Sequence, residues 1–172
     1  MRMGYTIVDS ALGRLLVAAT EKGICFVSLG DGDAPMEAEL RGDYPSADIR
    51  HDMPVDPSWV EALLKYLRGE SCDLALPLDA RGTGFQERVW AVLQSIPYGS
   101  TRTYKEIAAA LGLPGTAARA VGRACATNAV SLIIPCHRAR RGDGGLAGYR
   151  WGLERKRLLI EMERSFTGRT TP

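Results

Sequence analysis

The sequence predicts an α+β fold: a small N-terminal antiparallel sheet with helices, followed by a mostly helical half built around a helix-turn-helix. Three observations predict it. Short apolar or β-branched runs split by turn residues fill the first third of the chain. Beyond residue 81, apolar residues recur mainly at helical spacing. The charge also changes sign: residues 1–80 carry 7 Lys and Arg against 14 Asp and Glu, a net of −7, whereas residues 81–172 carry 15 against 6, a net of +9. The boundary is therefore placed between an N-terminal α/β scaffold, 1–80, and a second domain, 81–172.

In the scaffold, Tyr5–Val8, Arg14–Ala19 and Ile24–Leu29 read as three strands of a meander, separated by Ser10-Ala11-Leu12-Gly13 and Glu21-Lys22-Gly23. Gly30-Asp31-Gly32-Asp33 breaks the pattern before a short helix, Ala34–Arg41. Asp43–Asp56 reads as an acidic, Pro-containing loop, and Pro57–Leu67 as a helix with Val60, Leu63, Leu64 and Leu67 on one face. Leu74–Leu78 is a strand or an extended link.

In the second half, Thr83 is suited to cap a helix from Phe85 to Ile96, which Pro97-Tyr98-Gly99 stops. Thr103 caps the next, Tyr104–Leu111, with Glu106 as the capping-box partner. After the tight turn Gly112–Gly115, Thr116 caps a third helix from Ala117 to about Thr127. Helix, Gly-containing turn, helix is the helix-turn-helix pattern. Of the 15 basic residues here 13 are Arg, the side chain suited to bidentate phosphate contacts, so a polyanion partner is expected. Charge alone leaves pairing with the acidic half an even alternative.

With 45% hydrophobic, 24% charged and 7% aromatic residues, the composition excludes a disordered tail, a collagen-like fibre and a disulfide-dense mini-protein. No apolar run approaches the roughly 20 residues of a membrane span, and Met1–Tyr5 lacks the apolar stretch of a secretory signal. A soluble, cytoplasmic chain is expected.

Cys25, Cys72, Cys125 and Cys136 form no CxxC pair, and only His51 and His137 offer imidazoles, so neither a metal site nor a disulfide framework is expected. Cys25, Cys72 and Cys125 read as buried filler. Cys136 differs. It ends the apolar run Leu132-Ile133-Ile134-Pro135 and is followed by His137 and Arg138. A thiol beside an imidazole and a guanidinium has a route to its reactive thiolate.

Pro135-Cys136-His137-Arg138 resembles the active-site motif of the O6-alkylguanine-DNA alkyltransferases. Gly82-Thr83-Gly84-Phe85-Gln86, Val89-Trp90, Ile96-Pro97-Tyr98-Gly99, Arg119-Ala120-Val121-Gly122, Asn128 and Gly148-Tyr149 stand in that family's order. The resemblance covers nearly all of 82–163. Arg141-Gly142-Asp143-Gly144 and Gly148-Tyr149-Arg150-Trp151-Gly152 are most like the C-terminal module of bacterial adaptive-response proteins. Residues 1–172 hold no counterpart of the zinc-bearing regulatory module that such proteins carry upstream.

The resemblance implies a suicide repair protein that flips an O6-alkylated guanine out of duplex DNA and takes the alkyl group onto its cysteine. It implies Cys136 as acceptor, His137 as base acting through a water, and Glu163 as the orienting acid, with Glu161 its nearby rival. Tyr104 would protonate the leaving guanine, and Asn128 would tie the recognition helix to the active-site turn. Arg119 would fill the gap left by the flipped base, entering from the minor groove, with Ala117, Ala118 and Ala120 small enough for close approach. Arg138 is expected among the DNA contacts, and Tyr149, Ala139 and Arg150 around the base pocket. No cofactor is implied. The protein is expected to be a monomer in solution, able to cluster on DNA.

Two departures stand out. Position 139 is Ala where the family has Val or Ile, and the turn Gly112–Thr116 is one residue longer than usual. A lesion-binding module without transfer and a Cys-His hydrolase are the alternatives from other classes. The first lacks the family cysteine, and the second leaves the basic half unexplained.

Overall fold

The computed structural model describes residues 1–167. They form two units: residues 1–81 with 129–131, and residues 82–128 with those from 132 onward. In the first unit, β1 (Arg2–Ser10), β2 (Gly13–Thr20) and β3 (Gly23–Gly30) make the expected antiparallel meander, each strand longer than its apolar run. The Ser10 hydroxyl closes the first turn, accepting from Leu12 N–H at 3.2 Å and donating to Gly13 O at 2.7 Å. At Gly23 only glycine fits: φ is +151°, and a Cβ would lie 2.5 Å from the Pro77 carbonyl.

The expected loop 43–56 contains a strand that periodicity misses. Asp48–Arg50 forms β4, parallel to Arg2–Gly4 of β1, so the sheet order is β3-β2-β1-β4. The outer side of β3 is covered as well. Ile24 bridges Leu78, and Val27 N–H donates to Ala129 O at 2.8 Å, which draws 129–131 into this unit. Helix α1 (Asp33–Asp43) lays Met36 and Leu40, one turn apart, onto Met3, Tyr5, Leu16, Ala18, Cys25 and Phe26. Helix α2 (Pro57–Leu67) has the predicted bounds, with Pro57 at its first position and the Asp56 carboxylate accepting Ser58 N–H at 2.8 Å.

In the second unit, α3 (Gly84–Gln94) and α4 (Tyr104–Ala110) both start from reciprocal capping boxes, Thr83 with Gln86 and Thr103 with Glu106. Helix α5 (Ala118–Ala126) completes the helix-turn-helix. Thr116 is not its cap: Gly115–Ala117 make a turn of 3-10 helix, Ala117 N–H donating to Pro114 O at 2.9 Å, and the chain enters α5 directly from there. Buried Val121, Ala124 and Cys125 face inward from α5, and Trp90 of α3 donates its indole hydrogen to Ala124 O at 2.9 Å.

The run 132–134 is buried as expected but is a turn rather than a strand, with Leu132 at φ +75°. Cys136–Arg138 then form a second 3-10 turn leading into β6 (Ala139–Arg140), which pairs in parallel with β5 (Arg102–Thr103). Helix α6 (Leu153–Thr167) comes last. None of the helices among the described residues is long and apolar enough to cross a membrane.

Candidate active site

Spacing along α6 builds the site. Lys156, Leu159, Ile160 and Glu163 are buried and lie three, four and seven residues from the first, so they share one face. That face carries a lysine and a glutamate out of solvent, each only 1% exposed. The glutamate meets the 3-10 turn at Cys136–Arg138. His137, fully buried, approaches Glu163 Oε1 through Nε2 at 2.6 Å. Arg138 donates from Nε at 2.9 Å to Oε2 and from an Nη at 3.0 Å to Oε1, while its other Nη reaches Ile96 O at 2.7 Å. Gly99 N–H adds a 3.1 Å bond to Oε2.

Burial alone would raise the pKa of Glu163, but its hydrogen bonds with His137 and Arg138 and the Arg138 charge oppose it, and the carboxyl is held at about 2. Burial lowers the pKa of His137, against the pull of Glu163, so the imidazole is neutral near pH 7. An ionised carboxylate only accepts hydrogen bonds. Nε2 therefore carries the ring hydrogen, and Nδ1 holds the lone pair that can take a proton.

Cys136 opens the turn, 6% exposed, its N–H bonded to Ile134 O at 2.8 Å. The same carbonyl accepts from the Asn128 side chain at 2.8 Å, so this buried amide ties the end of α5 to the turn. Tyr104, first residue of α4, has its pKa pushed up to about 12 by burial, then by Cys125 and Cys136. The Lys156 ammonium lies 5.9 Å from the Tyr104 ring centre. Burial lowers the pKa of Lys156, and the Cys136 and Cys125 thiols oppose that shift.

The site thus holds a thiol, a neutral base oriented by an ionised acid, and a buried cation, all carried by the second unit. Comparison with known sequences decides the family. The profile described as "6-O-methylguanine DNA methyltransferase, DNA binding domain" matches residues 84–165, and that described as "6-O-methylguanine DNA methyltransferase, ribonuclease-like domain" matches residues 3–80. The chain belongs to the 6-O-methylguanine DNA methyltransferase family.

The resemblance read from Pro135–Arg138 is borne out. The chain is 47% identical over 162 residues to the Escherichia coli bifunctional transcriptional activator/DNA repair enzyme Ada, covering 92% of this chain and 45% of that one. It spans just under half the length of such adaptive-response relatives. It is 50% identical over 160 residues to the methylated-DNA–protein-cysteine methyltransferase of Mycolicibacterium paratuberculosis, covering 93% of this chain and 92% of that one. Its fold matches Mycobacterium tuberculosis OGT in complex with DNA at a TM-score of 0.79 and 36% identity, over 96% of this chain and 94% of that one.

Against that methyltransferase frame the other expected residues fall into two groups. Arg119 and Ala120 are exposed on α5, with Ala117 and Ala118 half-buried before them, and Arg123 extends the exposed stripe one turn further. Tyr149 and Arg150 are half-buried, and Tyr149 stacks edge-on against Trp151 at 5.3 Å. Ala139 is fully buried in β6.

Arg138 is a correction. Expected among the DNA contacts, it is 8% exposed and spends its guanidinium on Glu163, Ile96 and the Tyr98 ring 5.5 Å away. The rival Glu161 is exposed and bonded to Arg157 at 2.8 Å. Cys72, expected to be buried, is exposed. Sequence reasoning missed Lys156 and Gly99. The i, i+7 spacing of Lys156 to Glu163 was the available signal for the lysine.

Proposed function

We propose that the protein repairs DNA by direct reversal, taking the alkyl group of an O6-alkylguanine onto Cys136 in a single, irreversible turnover. The observation that carries this reading is the ionised, Arg138-paired Glu163, which fixes the His137 tautomer beside a thiol. His137 Nδ1 draws off the thiol proton, directly or through water, and Lys156 supplies the positive charge that favours the thiolate. The sulfur attacks the alkyl carbon, an S–C bond forms and the C–O bond breaks, and the guanine anion takes a proton from Tyr104. The thioether has no thiol-exchange route back to cysteine, so each molecule acts once.

Exposed Arg119, with Ala117, Ala118 and Ala120, supports minor-groove docking and a side chain inserted where the base leaves the stack. Tyr149, Arg150 and Ala139 are assigned to the base pocket. The names of the mycobacterial relatives and the DNA complex of the M. tuberculosis protein support the same substrate. The division of labour, scaffold to about residue 80 and acceptor beyond it, goes with this reading, as do a monomeric state and a cytoplasmic site of action.

The test is intact mass spectrometry after incubation with excess duplex containing O6-methylguanine. One added methyl per chain, mapped to the Cys136 peptide, is expected; tight binding without mass gain would favour a lesion-binding module instead. Arg119→Ala should slow transfer from duplex by about tenfold, the scale of one lost contribution to unstacking, and leave reaction with free O6-benzylguanine unchanged. Equal losses on both would remove its role in flipping.

A further inference from the structure

Cys125 has no part in the chemistry above, yet it lies in the same buried cluster. It is 8% exposed on the inner face of α5. Its carbonyl accepts Asn128 N–H at 3.2 Å, the Asn128 side chain donates to Ile134 O at 2.8 Å, and that carbonyl accepts Cys136 N–H at 2.8 Å. One asparagine and one carbonyl therefore join the backbones of the two cysteines. Both thiols also act on the same two neighbours, the Tyr104 hydroxyl and the Lys156 ammonium. Both are thiols in this structure.

We propose that Cys125 is the resolving thiol of Cys136, closing a reversible disulfide when a peroxide oxidises the acceptor. In the first step the Cys136 thiolate attacks one peroxide oxygen, an S–O bond forms, the O–O bond breaks, and the departing hydroxide takes a proton to become water. Cys136 is then a sulfenic acid, oxidised by two electrons. In the second step the Cys125 sulfur attacks the Cys136 sulfur, the S–S bond forms, the S–O bond breaks, and the hydroxyl leaves as water with the Cys125 proton. Two thiols and one hydrogen peroxide thus give one disulfide and two waters.

Electrostatics orders the steps. Burial pushes the Cys125 thiol up to about 12, the Cys136 charge adds to this, and Lys156 pulls the other way. While Cys136 is a thiolate, Cys125 stays protonated and inert. Burial remains, but conversion of Cys136 to a neutral sulfenic acid removes the repelling charge and leaves Lys156 as the charge that favours a Cys125 thiolate beside the new electrophile. Without a resolving thiol a sulfenic acid advances to sulfinic acid, which thiols do not reverse. The pair would keep the acceptor recoverable by a dithiol reductant, unlike the alkylated product.

The proposal rests on Cys136 being the reactive thiol, so methyl uptake is measured on a separate aliquot of each preparation that is not oxidised. Reduced protein is treated with a small molar excess of hydrogen peroxide, enough to carry an unresolved sulfenic acid on to sulfinic acid, and weighed intact. The wild type should lose two hydrogens, yield one peptide cross-linked between Cys125 and Cys136, and regain full methyl uptake after dithiothreitol. Cys125→Ala and Cys125→Ser should take up methyl normally before oxidation, which shows that they are folded. After peroxide they should instead gain two oxygens at Cys136 and lose uptake for good. Sulfinic acid in the wild type with no cross-link would overturn the proposal, as would a cross-link that persists without Cys125. A wild type that closes the bond yet takes up no methyl would refute the repair reading and leave the thiol pair standing.

Discussion

Cys25 and Cys136 are both buried, and they differ in what is buried with them. Cys25, in β3 at 0% exposure, has its Sγ 3.4 Å from Ala18 O. Burial, reinforced by Asp79 and opposed by a backbone hydrogen bond and Arg81, pushes its pKa up to about 12. Cys136 shares its unit's core with a neutral imidazole held by an ionised carboxylate and with a buried ammonium. Burial by itself makes a thiol inert. It makes a nucleophile only where a base and a cation are enclosed alongside, shielded from the water that would weaken them.

The largest effect expected from this contrast is the pair of truncations. Cys136→Ala should abolish methyl uptake from an O6-methylguanine duplex. Cys25→Ala should keep full stoichiometry while costing about 1 kcal/mol of stability, the usual scale for one small buried atom. Intact mass and thermal melting read the two results, and uptake by Cys136→Ala would end the distinction.

Next is Glu163→Gln, which loosens the tautomer of His137 and leaves the Arg138 charge without its carboxylate. Transfer should slow by about 100-fold or more, and stability should fall by about 3 kcal/mol. A variant that is merely destabilised, with an unchanged single-turnover rate, would strip Glu163 of its part in orientation.

The pH dependence sharpens the same point. The folded Glu163 carboxyl titrates at about 2 against an ordinary 4.5, so its contribution is complete above pH 4.5 and is lost as pH falls towards 2. His137 is also lowered from its ordinary 6.5, so its contribution is present above that value and declines below it. Melting temperature should hold steady above pH 6.5, fall below it, and lose its lowest-pH segment in Glu163→Gln.

The smallest expected effect is that of Lys156→Gln. It removes one neighbouring opposite charge and should slow transfer about tenfold at pH 7, with the rate recovering as pH rises and hydroxide assists proton removal. A pH-independent loss would mean that Lys156 serves packing alone.

Local chemistry was legible in the sequence and long-range pairing was not. Thr103 and Glu106 bond within one turn of α4, so four residues of sequence contain the whole motif. The bounds of α2 arise likewise from its Pro57 start and its apolar spacing. Asp48–Arg50 carries no strand signal because its pairing depends on Arg2–Gly4, more than 40 residues earlier. Thr116 looked like a cap because nothing local signals that Pro114 O would take Ala117 N–H first.

In the site, Cys136 and His137 stood out as polar residues ending an apolar run, whereas Glu163 came only through family resemblance. Arg138 misled: an arginine in a basic half reads as a phosphate contact, and the carboxylate that claims it is 25 residues away. Lys156 was missed because a lysine on a helix ordinarily lies in solvent.

Leu132 shapes the turn that leads to Cys136. It holds φ at +75°, a conformation that costs a non-glycine residue about 1–2 kcal/mol, and its side chain is 2% exposed. The turn before the acceptor is therefore kept in shape by packing, against the preference of its own backbone. An adduct on Cys136 that displaced this packing would let the turn relax, so alkylated protein is expected to melt at a lower temperature than the free thiol. Equal melting temperatures would mean that the packing tolerates the added group.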